Sequence, residues 1–134
     1  MNPENKTILF LQNGPHHYAP SRLDLRFAAA GLDVDYYWAA RGEFPRLPFH
    51  YAGVLIDASP HGAYENLDWI IQEHRLIQDL AKAEIPMLGV CFGSQILASA
   101  LCGRDQVFVA SDCEVGYRWV DLHPQSQGDE LTRG

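Results

Sequence analysis

Gly89-Val90-Cys91-Phe92-Gly93 is the stretch of this sequence best equipped for chemistry. The pattern G-x-C-x-G follows a short apolar run, "PML", and precedes a small-residue run, "SQILASALCG". A strand, a tight turn and a helix in that order present the turn residue as an exposed nucleophile, with flanking glycines relieving the crowding. Unpaired N–H groups at a helix N-terminus favour a thiolate there. The N–H of Phe92 is placed to donate to the oxyanion that forms when a carbonyl carbon is attacked. The plainer reading of the same five residues is a cysteine packed at an ordinary strand-to-helix turn.

A nucleophilic cysteine usually needs a base. After Cys91 the only histidine is His123, in the polar stretch "DLHPQS", which reads as a solvated turn. His16, His17 and His50 lie in loop-like segments before it, and His74 falls on a helix as a packed or solvated residue. His61 differs, because its loop is expected at the same sheet edge as Cys91.

The elements that must position these residues follow from periodicity. "KTILFLQN" (6–13), "AGVLID" (52–57) and "MLGV" (87–90) read as apolar strands, and "DVDYYW" (33–38) as a strand rich in aromatics. Between them, "RLDLRFAAAG" reads as a helix with Leu23, Phe27 and Ala30 on one side, capped by Ser21 with Asp24 three residues on. "LDWIIQEHRLIQDLAKAE" (67–84) is the longest helix. Leu67, Ile70, Ile71, Ile77, Leu80 and Ala81 form its apolar face, and Glu73, Arg75 and Asp79 are assigned largely to the solvent side. "FGSQILASALCG" closes at Gly103. "QVFVAS" and "EVGYRWVDL" read as two late strands, and residues 123–134 as a polar tail. Strands alternating with helices predict a single α/β domain over residues 1–134, doubly wound, with a mostly parallel sheet and helices on both faces. Ligands in such sheets bind beyond the carboxyl ends of the strands, where "DASPHG" and "VCFG" both fall.

Composition bounds the function. The chain has 134 residues, 47% apolar and 20% charged, with a formal net charge of −7. Lysines and arginines are scattered, which argues against nucleic acid. No apolar window approaches a membrane span, and the first residues lack the pattern of a signal peptide. The three cysteines form no CxxC pair, so neither a disulfide framework nor a zinc site is indicated, and the cytoplasm is the expected compartment. Cys102 and Cys113 are expected to be buried small hydrophobes.

"PMLGVCFGSQILASALCG" resembles the nucleophile segment of the class I, triad-type glutamine amidotransferases, in the style of the GMP-synthase glutaminase domain. "VLIDASPHGAYENLDWI" is similar to that family's oxyanion loop, "SDCEVGYRWVDL" to its strand after the elbow helix, and "ILFLQNGP" to its first strand. The resemblance runs in order up to Leu122 and implies a flavodoxin-like fold. It implies that Cys91 attacks the side-chain amide of glutamine, releasing ammonia through a γ-glutamyl thioester. It places the N–H groups of Phe92 and Ser59 in the oxyanion hole, and Gln95 and His61 on the substrate side. It implies no cofactor and no metal, and an ammonia acceptor on a synthetase domain or subunit.

Two positions depart from the pattern. Ala58 stands where the family usually has glycine, a strain if φ must be positive there. Asp57 replaces a more usual Ser or Thr. The family's late His-x-Glu pair has no match, so the chain is expected to be C-terminally incomplete and nearly inactive alone, with a natural short form as the alternative. An uncovered sheet edge would then favour homo-oligomers. The competing functions are a non-catalytic binding or regulatory relative and another cysteine-elbow hydrolase. Phe92, where such hydrolases commonly carry histidine, favours glutamine chemistry.

Overall fold

The computed structural model describes residues 6–15, 22–46 and 48–130, and of residues 22–24 and 49 the backbone alone. The cap expected at Ser21 and the loop histidines His16 and His17 lie outside the described residues.

Four strands form one sheet: β1 (Thr7–Leu11), β2 (Asp33–Tyr37), β3 (Gly53–Ile56) and β4 (Met87–Gly89), in the order β2-β1-β3-β4. Every pairing is parallel, and the register sets Leu9 beside Val54, Leu11 beside Ile56 and Ile56 beside Gly89. Parallel neighbours need crossover connections, and three α-helices are described: α1 (Arg22–Ala29), α2 (Asp68–Lys82) and α3 (Phe92–Cys102). The expected α/β parallel architecture is thus present, with strand and helix ends within a residue or two of the predicted ones.

Side chains alternate across the sheet. Leu9, Leu11, Val54 and Ile56 face α2 and α3, where they join Ile70, Ile77, Leu80, Phe92, Ile96 and Ala100 in one buried core. Ile8, Leu55 and Leu88 belong to the other face. There Phe27 of α1 and Pro86 help line an apolar groove of about 390 Å³. Leu88 remains 47% exposed on this side.

Three expectations are corrected. The late strands are absent: no strand is found among residues 107–130, and Val115, Tyr117 and Trp119 are exposed. Their alternation marks a half-buried strand only where a neighbour supplies the backbone partners, and among the described residues none does. Cys102 and Cys113 are exposed rather than buried. On α3 the buried positions are Phe92, Gly93, Ile96, Ser99 and Ala100, a stripe that leaves Cys102 on the outside. Glu73, assigned to the solvent side of α2, is fully buried. It completes the spacing Ile70, Glu73, Ile77, Leu80 along the core-facing stripe.

Candidate active site

Cys91 joins β4 to α3 in a backbone conformation that L-residues avoid, with φ 55° and ψ −111°. Among the described non-glycine residues only Glu84 shares a positive φ. Such strain costs on the order of 1–3 kcal/mol and persists where the surroundings over-determine it. They do so here. A Cβ on Gly93 would overlap the Ile56 carbonyl, and one on Gly89 would overlap the Gly93 backbone. The Val90 N–H donates to the Ile56 carbonyl at 2.9 Å, tying the turn to β3. The Cys91 carbonyl accepts from the Ser94 N–H at 3.0 Å and the Ser94 hydroxyl at 2.7 Å. The side chain of Cys91 is exposed. Phe92, by contrast, is buried against Trp69, ring centroids 5.6 Å apart. Its N–H is the first of α3, a position with no acceptor inside the helix.

The 57–62 loop leaves β3 at the same sheet edge, because β3 and β4 are adjacent and parallel. Its own polar groups fix its course. The Ser59 hydroxyl accepts from the His61 N–H at 3.2 Å. Glu65 accepts from the Gly62 N–H at 2.7 Å and holds His61 Nδ1 at 3.0 Å. The Gly62 N–H, and after it His61, hold the Glu65 carboxyl below its usual range. His61 also meets the Trp69 ring edge-on at 5.7 Å, so His61, Trp69 and Phe92 form one aromatic series from loop to elbow. Arg104, beyond α3, donates to the Tyr64 and Glu65 carbonyls and to Asn66 Oδ1 at 2.8 Å. Ala58 has no positive φ, so its side chain is accommodated without backbone strain.

Gln95 is exposed one turn after Cys91 on α3, and its N–H reaches the Cys91 carbonyl at 3.3 Å. The remaining described histidines have structural surroundings. His74 is buried between the Ile70 carbonyl and the Ser99 hydroxyl, each at 2.8 Å, and burial lowers its proton affinity. His123 is exposed and accepts from the Gln125 N–H at 3.3 Å. Among the described residues no group of three or more His, Cys, Asp or Glu could hold a metal ion, and no helix is long and apolar enough to cross a membrane.

The sequence reading missed two residues behind the loop. Asn13, at the end of β1, and Glu73 of α2 are both fully buried. Asn13 Nδ2 donates to Glu73 Oε1 at 3.0 Å and, more weakly, to the Asp57 carbonyl at 3.4 Å. Burial pushes the Glu73 carboxyl up to about 8, against the smaller opposing effect of the Asn13 hydrogen bond. The spacing of Glu73 with Ile70 and Ile77 was the available signal.

The parallel α/β sheet thus carries a strained cysteine between two sterically required glycines at a strand-to-helix turn. The chain belongs to the family described as glutamine amidotransferase class-I, which it matches over residues 19–130. It is 35% identical over 76 residues to γ-glutamyl peptidase 4 of Arabidopsis thaliana, covering 55% of this chain and 30% of that protein. It is 32% identical over 69 residues to a glutamine-hydrolysing GMP synthase of Azoarcus sp. (strain BH72), covering 52% of this chain and 12% of the relative. Among solved structures, a glutamine amidotransferase from Thermotoga maritima superposes with a TM-score of 0.59 at 28% identity, covering 71% of this chain and 42% of that one. One from Methylobacillus flagellatus gives a TM-score of 0.64 at 23% identity, covering 72% and 39%. The chain therefore spans under half the length of these relatives.

Proposed function

We propose that Cys91 is the nucleophile of a glutamine-hydrolysing domain. The observation that carries this reading is the strained φ of Cys91, set beside the 57–62 loop. Its thiolate attacks the side-chain amide carbon of glutamine. The N–H groups of Phe92 and Ser59 receive the oxyanion, worth roughly 3 kcal/mol per donor, while Gln95 and His61 hold the substrate. The C–N bond then breaks, and the nitrogen takes a proton and leaves as ammonia. Water hydrolyses the γ-glutamyl thioester to glutamate and restores the thiol. A γ-glutamyl peptide would follow the same course with an amine as the leaving group, which accommodates the peptidases among the relatives. Ammonia would pass to a synthetase domain or subunit. Three free thiols fit a reducing compartment such as the cytoplasm.

The chemistry calls for a base, and the hydrogen bonds of His61, His74 and His123 go to groups other than Cys91. General acid–base assistance contributes about 10²- to 10⁴-fold, and triad members act as a unit. The 134-residue chain alone should therefore release ammonia from glutamine at background rate. A longer chain carrying a late His-x-Glu should turn over, and Cys91→Ala should abolish that activity. Turnover surviving Cys91→Ala would sink the assignment, and robust turnover by the short chain would make His61 or His123 the base. Full inactivity of the longer chain on glutamine and on a γ-glutamyl dipeptide would favour a non-catalytic relative.

A further inference from the structure

Behind the 57–62 loop lies a buried polar cluster that the chemistry above does not use. Asn13 and Glu73 are shut off from solvent, and Gln12 is nearly so. Asn13 Nδ2 serves two acceptors, Glu73 Oε1 and the Asp57 carbonyl. Three buried oxygens nevertheless have no partner: Gln12 Oε1, Asn13 Oδ1 and Glu73 Oε2. All three are acceptors when Glu73 is ionised, so what the cluster lacks is a donor. A protonated Glu73 supplies one. A carboxyl facing a carboxamide can make two hydrogen bonds, the amide donating to one carboxyl oxygen and the acid hydroxyl to the amide oxygen. The first is in place at 3.0 Å, and the two atoms required for the second are the ones left over.

We propose that Glu73 and Asn13 act together as a positioning unit, a carboxyl–carboxamide pair that holds the Asp57 carbonyl and thereby the 57–62 loop beside Cys91. The inference rests on the reading of that loop as an oxyanion loop. Asp57 is its first residue after β3, and its N–H is already held by the Leu11 carbonyl at 3.0 Å. The Asn13 side chain adds a tie on the carbonyl side of the same residue. Loop placement then depends on α2 through one buried carboxyl, and neither residue touches substrate.

Burial favours the protonated form that the geometry requires. Charged and titratable groups on the surrounding elements have other engagements or none with Glu73. Arg41, in the turn after β2, stacks on Trp38 at 3.9 Å. His61 pairs with Glu65. On α2 itself Asp79 pairs with Lys82, Arg75 is exposed, and His74 turns to Ser99. Asp57 contributes its carbonyl, and α3 carries no charged side chain. Ionising Glu73 would set a negative oxygen against Asn13 Oδ1 and loosen the pair.

The test uses the longer chain carrying a late His-x-Glu, whose turnover is predicted above, with glutamine and γ-glutamyl-p-nitroanilide as substrates and iodoacetamide as a probe of Cys91 that needs no oxyanion hole. Asn13→Leu should lower kcat about 10²-fold, the scale of one misplaced oxyanion donor, while Cys91 alkylation stays within about threefold of wild type. Glu73→Gln, whose amide supplies the missing donor at every pH, should keep kcat within about threefold at pH 7 and lose the decline expected of wild type as pH passes 8. If Asn13→Leu does not fold, Asn13→Ser, which is too short to reach Glu73, replaces it. Turnover of the Asn13 variant within threefold of wild type would overturn the inference, as would an unchanged alkaline decline in Glu73→Gln. Cys91→Ala, run in parallel, separates the two failures: activity that survives it refutes the nucleophile assignment rather than the positioning unit.

Discussion

Cys91 occupies a conformation its neighbours impose, and the cost of relaxing those neighbours is a residue-scale prediction. Gly93→Ala would drive a methyl into the Ile56 carbonyl, which is backbone and cannot step aside. Overpacking of this kind typically costs about 1–3 kcal/mol, so we expect a loss of that size in urea unfolding, together with loss of turnover. A Gly93→Ala protein with wild-type stability would show that the elbow is less tight than its geometry states. Glu73 yields a second prediction, about stability against pH. Its folded value lies near 8 and its ordinary value near 4.5, so the folded chain keeps a proton that the unfolded chain releases in between. The stabilisation is complete below about 4.5, falls as pH rises toward 8 and is flat beyond, a change on the order of a few kcal/mol. Glu73→Gln should flatten that slope in urea midpoints measured at pH 5, 7 and 9. Equal slopes in the two proteins would mean that Glu73 ionises inside the fold without penalty.

At the scale of elements, the four strands and three α-helices were legible because β3 and β4 are apolar runs, β1 is nearly so, β2 is rich in aromatics and valine, and turn residues and helical segments separate them. The elbow was legible for a related reason: its glycines are steric requirements, and steric requirements leave a sequence mark. Asn13 and Glu73 were not. A lone polar residue at a strand end or on a helix is ordinarily solvated; the spacing of Glu73 with Ile70 and Ile77 hinted otherwise, but Asn13 left no such mark, and only the pairing explains both. The reading of 107–122 erred in the opposite direction, since alternation at Val115, Tyr117 and Trp119 describes a strand only when another strand lies beside it. The α2–α3 contact shows how the helices are held in register. His74 bridges the Ile70 carbonyl to the Ser99 hydroxyl, and Gln78 donates to the Ala100 carbonyl at 3.0 Å. Ser99→Ala would leave the buried His74 Nε2 without a partner, at a cost of about 1–3 kcal/mol. Thermal unfolding of Ser99→Ala checks this, and an unchanged midpoint would show that water substitutes for the hydroxyl.

For the molecule as a whole, the two faces of the sheet are unequal. One is closed by α2 and α3 around a continuous core. The other shows an apolar groove along Ile8, Leu55 and Leu88, with Phe27 at its border, and β4 has β3 as its only strand neighbour among the described residues. An open strand edge beside an apolar face is a template for association, because both unpaired backbone groups and apolar area are satisfied by the same contact. The exposed apolar residues of 107–122 add to the surface that water covers poorly, Trp119 and Tyr117 foremost. The 134-residue chain should therefore self-associate in a concentration-dependent way. Light scattering across a hundredfold dilution series should show mass rising with concentration. Leu88→Lys, which charges the rim of the groove without touching the α2–α3 core, should shift the curve toward monomer. A monodisperse monomer at every concentration would mean that the face is stable in water as it stands, and that the groove is a finished surface rather than one awaiting a cover.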